Sequence, residues 1–316
     1  MTVLLALDFG GTKLAAAIAP PESAGWLAHD RVFSAPGATA HDDLREIAAL
    51  ARRLLNGQSP AAIGVSFGGP ANFATGVVRL SHHVPGWENI PLQAWLEAEF
   101  HAPTRIDNDA NAGALGEHRY GAGQGVDHLL YITVSTGVGG GWILNGQPWR
   151  GAHGLAGEIG HMTIDPHGPV CLCGKRGCVE RLASGPYLAT DLRDYLTNHP
   201  ADGAALRARV NGDLSQLTAR SIAEAAEQGD DLAASYLQRA GWALGVGIGN
   251  ATNLINPQRV LLGGGVTKSG APFWDTLRQH ARATALPEIE FDIHPARHID
   301  DAPLYGALAL AHLALG

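Results

Sequence analysis

Apolar positions recur along this chain with two periods, and the alternation between them predicts its elements. Val3 to Leu7 and Leu14 to Ala19 are short apolar runs without polar alternation, which suits strands buried on both faces. Between them, Asp8-Phe9-Gly10-Gly11-Thr12-Lys13 predicts the turn of a hairpin; a Walker loop needs wider glycine spacing before its lysine and a helix after it. Leu44, Ile47, Ala48, Ala51 and Leu54 recur at helical spacing within His41 to Leu55. Ile63 to Phe67 reads as a buried strand ending in Gly68-Gly69-Pro70, and Pro91 to Phe100 as an amphipathic helix. Thr104-Arg105-Ile106 is a strand that delivers Asp107-Asn108-Asp109-Ala110-Asn111, and Ala110 to Tyr120 is helical in pattern.

The opening pattern then returns. An apolar strand from Leu129 to Ser135 meets the turn Thr136-Gly137-Val138-Gly139-Gly140-Gly141, followed by apolar Trp142-Ile143-Leu144, which predicts an internal duplication. Helical stretches follow near Pro186 to Asn198 and Ile222 to Asn253. Arg259 to Leu262 is a strand running into Gly263-Gly264-Gly265, with a helix after Pro272, a strand near Ile289 to Ile293 and a terminal helix from Leu304 to Leu315. No low-complexity linker divides the halves, so shared helices are expected as the hinge.

At 316 residues and 33.0 kDa the chain exceeds what one ordinary core serves, so two lobes with a cleft between them are expected. A net charge of -8, and the lack of any Lys/Arg-rich block, argue against a nucleic-acid surface. The uncharged stretch around Leu129 to Leu144 is broken by Ser135, Thr136 and glycines, so it does not predict a membrane span. Met1 leads directly into apolar residues without a basic n-region or a small-residue cleavage site, so the expectation is a cytoplasmic protein. The 41 glycines cluster beside strand-like runs, as where backbone approaches a ligand.

All three cysteines fall in Cys171-Leu172-Cys173-Gly174-Lys175-Arg176-Gly177-Cys178, with His161 upstream. Three thiolates and one imidazole complete a tetrahedral zinc shell, and no cysteine remains for a disulfide elsewhere. A closed four-ligand shell leaves no position for water, so it predicts a structural metal in a reducing compartment. Glu158 and Glu180 are interleaved with the ligands, so the zinc is expected to hold a loop that carries carboxylates. His82, His83, His153 and His167 read as ordinary loop histidines.

Six elements in this order resemble the ROK sugar kinases (repressor, open reading frame, kinase) of the actin-like ATPase superfamily, over nearly the whole chain. They are Asp8 to Lys13, Asn108-Asp109-Ala110-Asn111, Ser135 to Gly141, Glu158-Ile159-Gly160-His161, the cysteine segment through Glu180, and Gly263-Gly264-Gly265. The resemblance implies an α/β fold of two ribonuclease-H-like lobes, each with a mixed sheet flanked by helices, and an interlobe cleft. It implies a smaller lobe of residues 1-118 plus 299-316, to which the terminal helix returns, and a larger lobe of 119-298 with a zinc loop at 161-178. A homodimer is also implied.

The implied reaction moves the γ-phosphoryl of ATP to the 6-hydroxyl of a hexose, which needs charge stabilisation, alignment and a base. Gly10, Gly11 and Thr12 would bring backbone N–H groups and a hydroxyl against phosphate, with Thr136 and Gly137 doing so from the other lobe. Either turn alone reads equally as an ordinary hairpin turn. Asp8 would hold hydrated magnesium, and Lys13 either touches phosphate or is a solvated turn residue. Gly263, Gly264 and Gly265 resemble the family's adenosine-contacting turn.

Asp109 is the implied general base; a carboxylate with an ordinary pKa near 3.9 suffices when the alcohol becomes acidic only as the phosphoryl arrives. The competing role for Asp107, Asp109 and Asn111 is a helix N-cap. The implied sugar contacts are Gly69, Asn108, Asp109, Glu158, His161 and Glu180, the carboxylates accepting hydrogen bonds from hydroxyl pairs. His161 would put one ring nitrogen on zinc and turn the other to the sugar.

Glu117 to Gly123 and Pro85 to Leu92 look most like glucokinase members, whereas Tyr131 to Gly141 and Asp165 to Cys171 look equally like bacterial N-acetylmannosamine kinases. Those kinases often carry His where this chain has Glu158, which favours glucose, while Glu158 is also compatible with N-acetylmannosamine or N-acetylglucosamine, and fructose, mannose and allose stay open. A transcriptional repressor of the family would carry an additional N-terminal DNA-binding segment, whereas here the first strand starts by Val3. A sugar-binding protein without turnover is disfavoured by Asp8, Asp109 and the two turns, and the motifs leave polyphosphate open as an alternative donor.

Overall fold

The first apolar runs form the predicted hairpin: β1 (Val3–Phe9) and β2 (Lys13–Ala19) pair antiparallel, with Leu4 opposite Ala19 and Phe9 opposite Leu14. The structure is a computed structural model that describes residues 2–81 and 83–316; Met1 and the loop histidine His82 lie outside the described residues. An edge strand not predicted from the pattern, β3 (Ala28–Phe33), pairs with β2, its exposed polar residues giving no apolar run to read. After α1 (Ala40–Leu55), β4 (Pro60–Phe67) lies parallel to β1. A small ribbon of β5 (Ala71–Asn72) and β6 (Val77–Val78) and helix α2 (Leu92–Phe100) lead to β7 (Thr104–Asn108), parallel to β4. The strand runs without a loop into α3 (Asp109–Tyr120).

The repeat then begins with β8 (Leu129–Val134) and β9 (Val138–Leu144), and β9 pairs with β10 (Gln147–Trp149). Short α4 (Val179–Ala183), α5 (Gly185–Asn198) and α6 (Ala204–Arg209) precede α7 (Ala219–Glu227) and α8 (Asp231–Ile255). The pattern predicts one helical stretch from Ile222 to Asn253. Two helices form instead, because Gly229 takes a positive φ of 88° and Asp230 caps the next helix by accepting from Ala233 N at 2.9 Å. Next come β11 (Arg259–Gly263), α9 (Ala271–Thr284), β12 (Asp292–Pro295) and α10 (Ala302–Leu315). The last strand starts later than predicted, since Ile289 N closes a turn onto Leu286 O.

The two mixed sheets have one topology, β3-β2-β1-β4-β7 and β10-β9-β8-β11-β12, which is the duplication foreshadowed by the two hairpins. The chain folds as two compact units, unit 1 (Met1–Tyr131, Gly141–Gly157, Ala296–Gly316) and unit 2 (Ile132–Gly140, Glu158–Pro295). In unit 1 one sheet face buries Leu5, Leu7, Ile63 and Val65 with Ile47, Leu50 and Leu96 of α1 and α2. The other face buries Leu4, Ala6, Ala17 and Ala62 under Leu304, Ala307, Leu308 and Ala311 of α10. The terminal helix thus returns to the first sheet, and it comes so near that a side chain at Gly64 would collide with the Ala307 carbonyl. In unit 2, Gly241, Gly245 and Gly249 recur every four residues along α8, their faces against the backbone of α9 at Phe273, Leu277 and Ala281. Among the described residues no helix is long and apolar enough to cross a membrane.

Candidate active site and metal centre

Where β7 becomes α3, one residue ends the strand and caps the helix. Asn108 Oδ1 accepts from Ala110 N at 2.9 Å and Asn111 N at 3.3 Å, so the cap is Asn108. Asp109 opens the first turn, where the helix dipole favours a carboxylate. Its Oδ1 accepts from Ala110 N at 2.8 Å and Asn108 Nδ2 at 2.9 Å, and Asn108 Nδ2 also reaches Gly69 O at 3.3 Å. Gly69 is held close as well, since a side chain there would come within 2.8 Å of Leu80 O. Three expected unit 1 residues, Gly69, Asn108 and Asp109, are therefore brought together. Asp107 points the other way: its Oδ1 accepts from Asn108 N and Asn111 Nδ2, and its Oδ2 from Arg150 Nε at 2.7 Å.

Asp8, 7% exposed at the end of β1, accepts from Ser66 Oγ at 2.8 Å. Burial raises it to about 6, with Ser66 and the Lys13 charge pulling the other way and Asp301 adding to the rise. A carboxylate held charged at such a cost fits a role beside a cation, so Asp8 would hold hydrated magnesium. The turn that follows is closed by Gly10 N donating to Lys13 O at 2.9 Å, which leaves the proposed phosphate contacts to Gly11 and Thr12. Trp87 lies beneath, edge-on to Phe9 at 5.5 Å and Phe67 at 4.8 Å.

In unit 2 the matching turn holds Ser135 N on Gly137 O at 2.9 Å. Glu180 Oε2 accepts from Val138 N at 2.9 Å, and a side chain at Gly137 would sit 2.7 Å from that oxygen. The expected sugar ligand Glu180 is thus tied to the expected phosphate turn, a link no spacing reveals. A cavity of about 810 Å³ opens beside Thr136 and Gly265, walled by Pro186 and Ala189 of α5, Ala219 and Ala223 of α7, and Val266. Gly264 packs its backbone on Val134 O with φ +89, whereas a side chain at Gly265 would meet open space. The α5 and α7 walls were not legible, because nothing in their patterns separates a cavity-facing alanine from a core one.

The zinc loop assembles as the cysteine spacing predicts. One ligand atom from each of His161, Cys171, Cys173 and Cys178 lies within 4.8 Å of the others. Cys173 Sγ and Cys178 Sγ are 3.6 Å apart, near the ~3.8 Å that tetrahedral geometry sets for Zn–S bonds of about 2.3 Å. His161 Nδ1 is buried without a hydrogen-bond partner, as suits a nitrogen reserved for a metal. Burial and then the neighbouring sulfurs push the Cys178 thiol up to about 12, a crowding that a divalent cation would relieve. Gly177 (φ 59) has no room for a side chain against the Asp165 carbonyl, and its own carbonyl accepts from Ile164 N at 2.9 Å. Cys178 caps α4, which carries Glu180, while exposed Glu158 caps the 3₁₀ turn Ile159–His161. The donor set fits zinc, and the four residues would hold it.

One residue in each of the two stretches that resemble glucokinases is scaffold. Glu117 is fully buried and collects the amides of Ala122 (2.9 Å), Arg297 (3.0 Å) and His298 (2.7 Å), while Trp87 is core. Arg150 was missed, although the sequence carries one signal: it is the lone Lys or Arg between Arg119 and Lys175.

A sequence profile of the ROK family matches residues 4–314, and this chain belongs to the ROK family. It is 40% identical over 229 residues to the glucokinase of Halalkalibacterium halodurans, covering 72% of this chain and 68% of that one. A putative xylose repressor of Caldicellulosiruptor is 36% identical over 250 residues, 78% of this chain and 61% of the repressor. The ROK glucokinase of Streptomyces griseus in complex with glucose and AMPPNP superposes with a TM-score of 0.87 at 31% identity, covering 98% of this chain and 99% of that one.

Purified protein is expected to carry one zinc per chain by plasma mass spectrometry. Cys173→Ala is expected to lose it, melt several degrees lower and raise the glucose KM at least about 10-fold; unchanged melting and sugar affinity would contradict a zinc that shapes the sugar loop. For Asp8 the folded pKa of about 6 exceeds the ordinary 3.8, so the folded state binds the proton more tightly. Its contribution to stability is therefore most favourable below pH 3.8 and is lost as pH rises to about 6. Without magnesium, Asp8→Asn is expected to be more stable to urea at pH 8, by up to roughly 3 kcal/mol, with the gap closing below pH 4. A variant less stable than wild type at pH 8 would contradict this.

Proposed function

We propose that this chain is an ATP-dependent sugar kinase that transfers the γ-phosphoryl of ATP to the 6-hydroxyl of a hexose, with glucose as the preferred acceptor. The observation that carries it is Asp109: a carboxylate at a helix N-terminus, aimed by Asn108 Nδ2 and Ala110 N, in a ROK-family chain with a glucokinase relative. Asp109 takes the proton of the 6-hydroxyl as the bond to phosphorus forms, and Asn108 and Gly69 hold the neighbouring sugar oxygens. Glu158, Glu180 and His161 accept and donate to the remaining hydroxyls, His161 with its ring fixed by zinc.

Gly11, Thr12, Thr136 and Gly137 hold the phosphates, and the cavity beside Thr136 and Gly265 takes the nucleoside. Its walls combine apolar Ala189, Ala223 and Val266, which suit a nucleoside, with Arg193, Arg220 and Lys268, which suit phosphates. Magnesium bound with ATP would spread the charge of the triphosphate, and Asp8 would hold it through water. The three clustered thiols support a reducing, cytoplasmic setting, the net charge of -8 speaks against a nucleic-acid partner, and the family resemblance supports a homodimer.

The test is a kinetic split together with a sugar panel. Asp109→Asn is expected to keep the glucose KM within about 3-fold while kcat falls roughly 10²- to 10⁴-fold. On wild type, glucose is expected to give a higher kcat/KM than N-acetylmannosamine, N-acetylglucosamine, mannose, fructose or allose. Wild-type kcat in Asp109→Asn removes Asp109 from the chemistry, and a preference for an N-acetylhexosamine moves the acceptor to that class.

A further inference from the structure

Arg150 stands apart from every motif, yet it ends in the ion pair beneath the proposed base. Its Nε donates to Asp107 Oδ2 at 2.7 Å, with side-chain exposures of 19% for Arg150 and 2% for Asp107, and its guanidinium lies 3.7 Å from the centre of the Phe73 ring. The other Asp107 oxygen accepts from Asn108 N at 2.9 Å and from Asn111 Nδ2 at 3.0 Å. Asn108 Nδ2 in turn fixes Asp109 Oδ1 at 2.9 Å. A continuous line of charge-assisted bonds thus runs from Arg150 through Asp107 and Asn108 to Asp109.

Stability alone does not account for such a pair. A buried ion pair commonly does no better than apolar residues of the same volume, because desolvation consumes the Coulomb gain. What a carboxylate with both oxygens engaged supplies is direction. Phe73, in the loop after β5, closes over the guanidinium, and Arg150 O accepts from Ala156 N at 3.1 Å, so the arginine is anchored at both ends. Burial pushes Asp107 above the usual carboxylate range, and the Arg150 charge is the first of the effects that oppose it.

We infer that Arg150 is a positioning residue for phosphoryl transfer, acting through Asp107 to hold the Asn108-Asp109 turn in its reactive geometry. The inference rests on Asp109 being the base of a sugar kinase. Its signature is a loss in kcat with little change in KM, since misplacement of a reacting group by about 1 Å can cost roughly 10²-fold in rate while the ground-state contacts survive.

The experiment compares wild type, Asp109→Asn, Arg150→Ala, Arg150→Lys and Asp107→Asn with glucose and MgATP, with kcat expressed per folded molecule and melting followed in parallel. Arg150→Ala is expected to lose about 100-fold in kcat with the glucose KM within about 3-fold, and Arg150→Lys to recover part of it. Millimolar methylguanidinium is expected to restore at least about 10-fold of the Arg150→Ala rate, and sodium chloride none. If Arg150→Ala proves unstable, Arg150→Lys and Asp107→Asn carry the same comparison. An Arg150→Ala kcat near wild type, or a loss that tracks melting and ignores methylguanidinium, overturns the positioning role while leaving the kinase reading intact. A wild type inert on every sugar overturns the kinase reading first, and the positioning role with it.

Discussion

The site depends on one constraint: β7 passes into α3 with no residue between them. Asn108 is at once the end of a parallel strand and the helix cap, so Asp109 has little freedom in where it points. The carboxyl ends of parallel strands and the N-termini of helices both collect ligand chemistry, the first by topology and the second by unpaired N–H groups and dipole. Here the two coincide within two residues. Asp107 faces the interior and Asp109 does not, so the two aspartates that flank Asn108 divide into a buried partner of Arg150 and a proposed base.

A second constraint is the closeness of backbones. Gly64 under α10 and the four-residue glycine row of α8 against α9 bring chains together where any side chain would separate them. Gly137 and Gly177 make the same kind of room at the site, one for the Glu180 carboxylate and the other for the Asp165 carbonyl. Much of the glycine content therefore serves packing. Gly265, whose side-chain direction is open, lines the cavity beside Thr136 instead.

Element type was legible wherever the apolar run was long, and the common topology of the two sheets was foreshadowed by two hairpins with similar turns. β3 was hidden because an edge strand with solvated side chains has no apolar period, and the α7–α8 break because a positive-φ glycine interrupts an otherwise continuous stripe. The zinc ligands were readable because thiols are few and metal geometry is demanding. The Arg150–Asp107 pair and the Glu180–Val138 bond were not, since each joins residues some forty positions apart through tertiary structure alone. Glu117 and Trp87 give the reverse lesson: a residue within a stretch resembling glucokinases can serve to hold a helix end or the ends of the central strands β1 and β4.

Glu180 joins the proposed zinc loop to the proposed phosphate turn, so one short helix, α4, links the two. The account as a whole stands on transfer of phosphoryl to a sugar hydroxyl, and ³¹P NMR of the purified protein with glucose and MgATP tests that most directly. The account predicts a growing monoester resonance of glucose 6-phosphate matched by ADP. ATP that stays intact, or that yields ADP and inorganic phosphate alone, would contradict it.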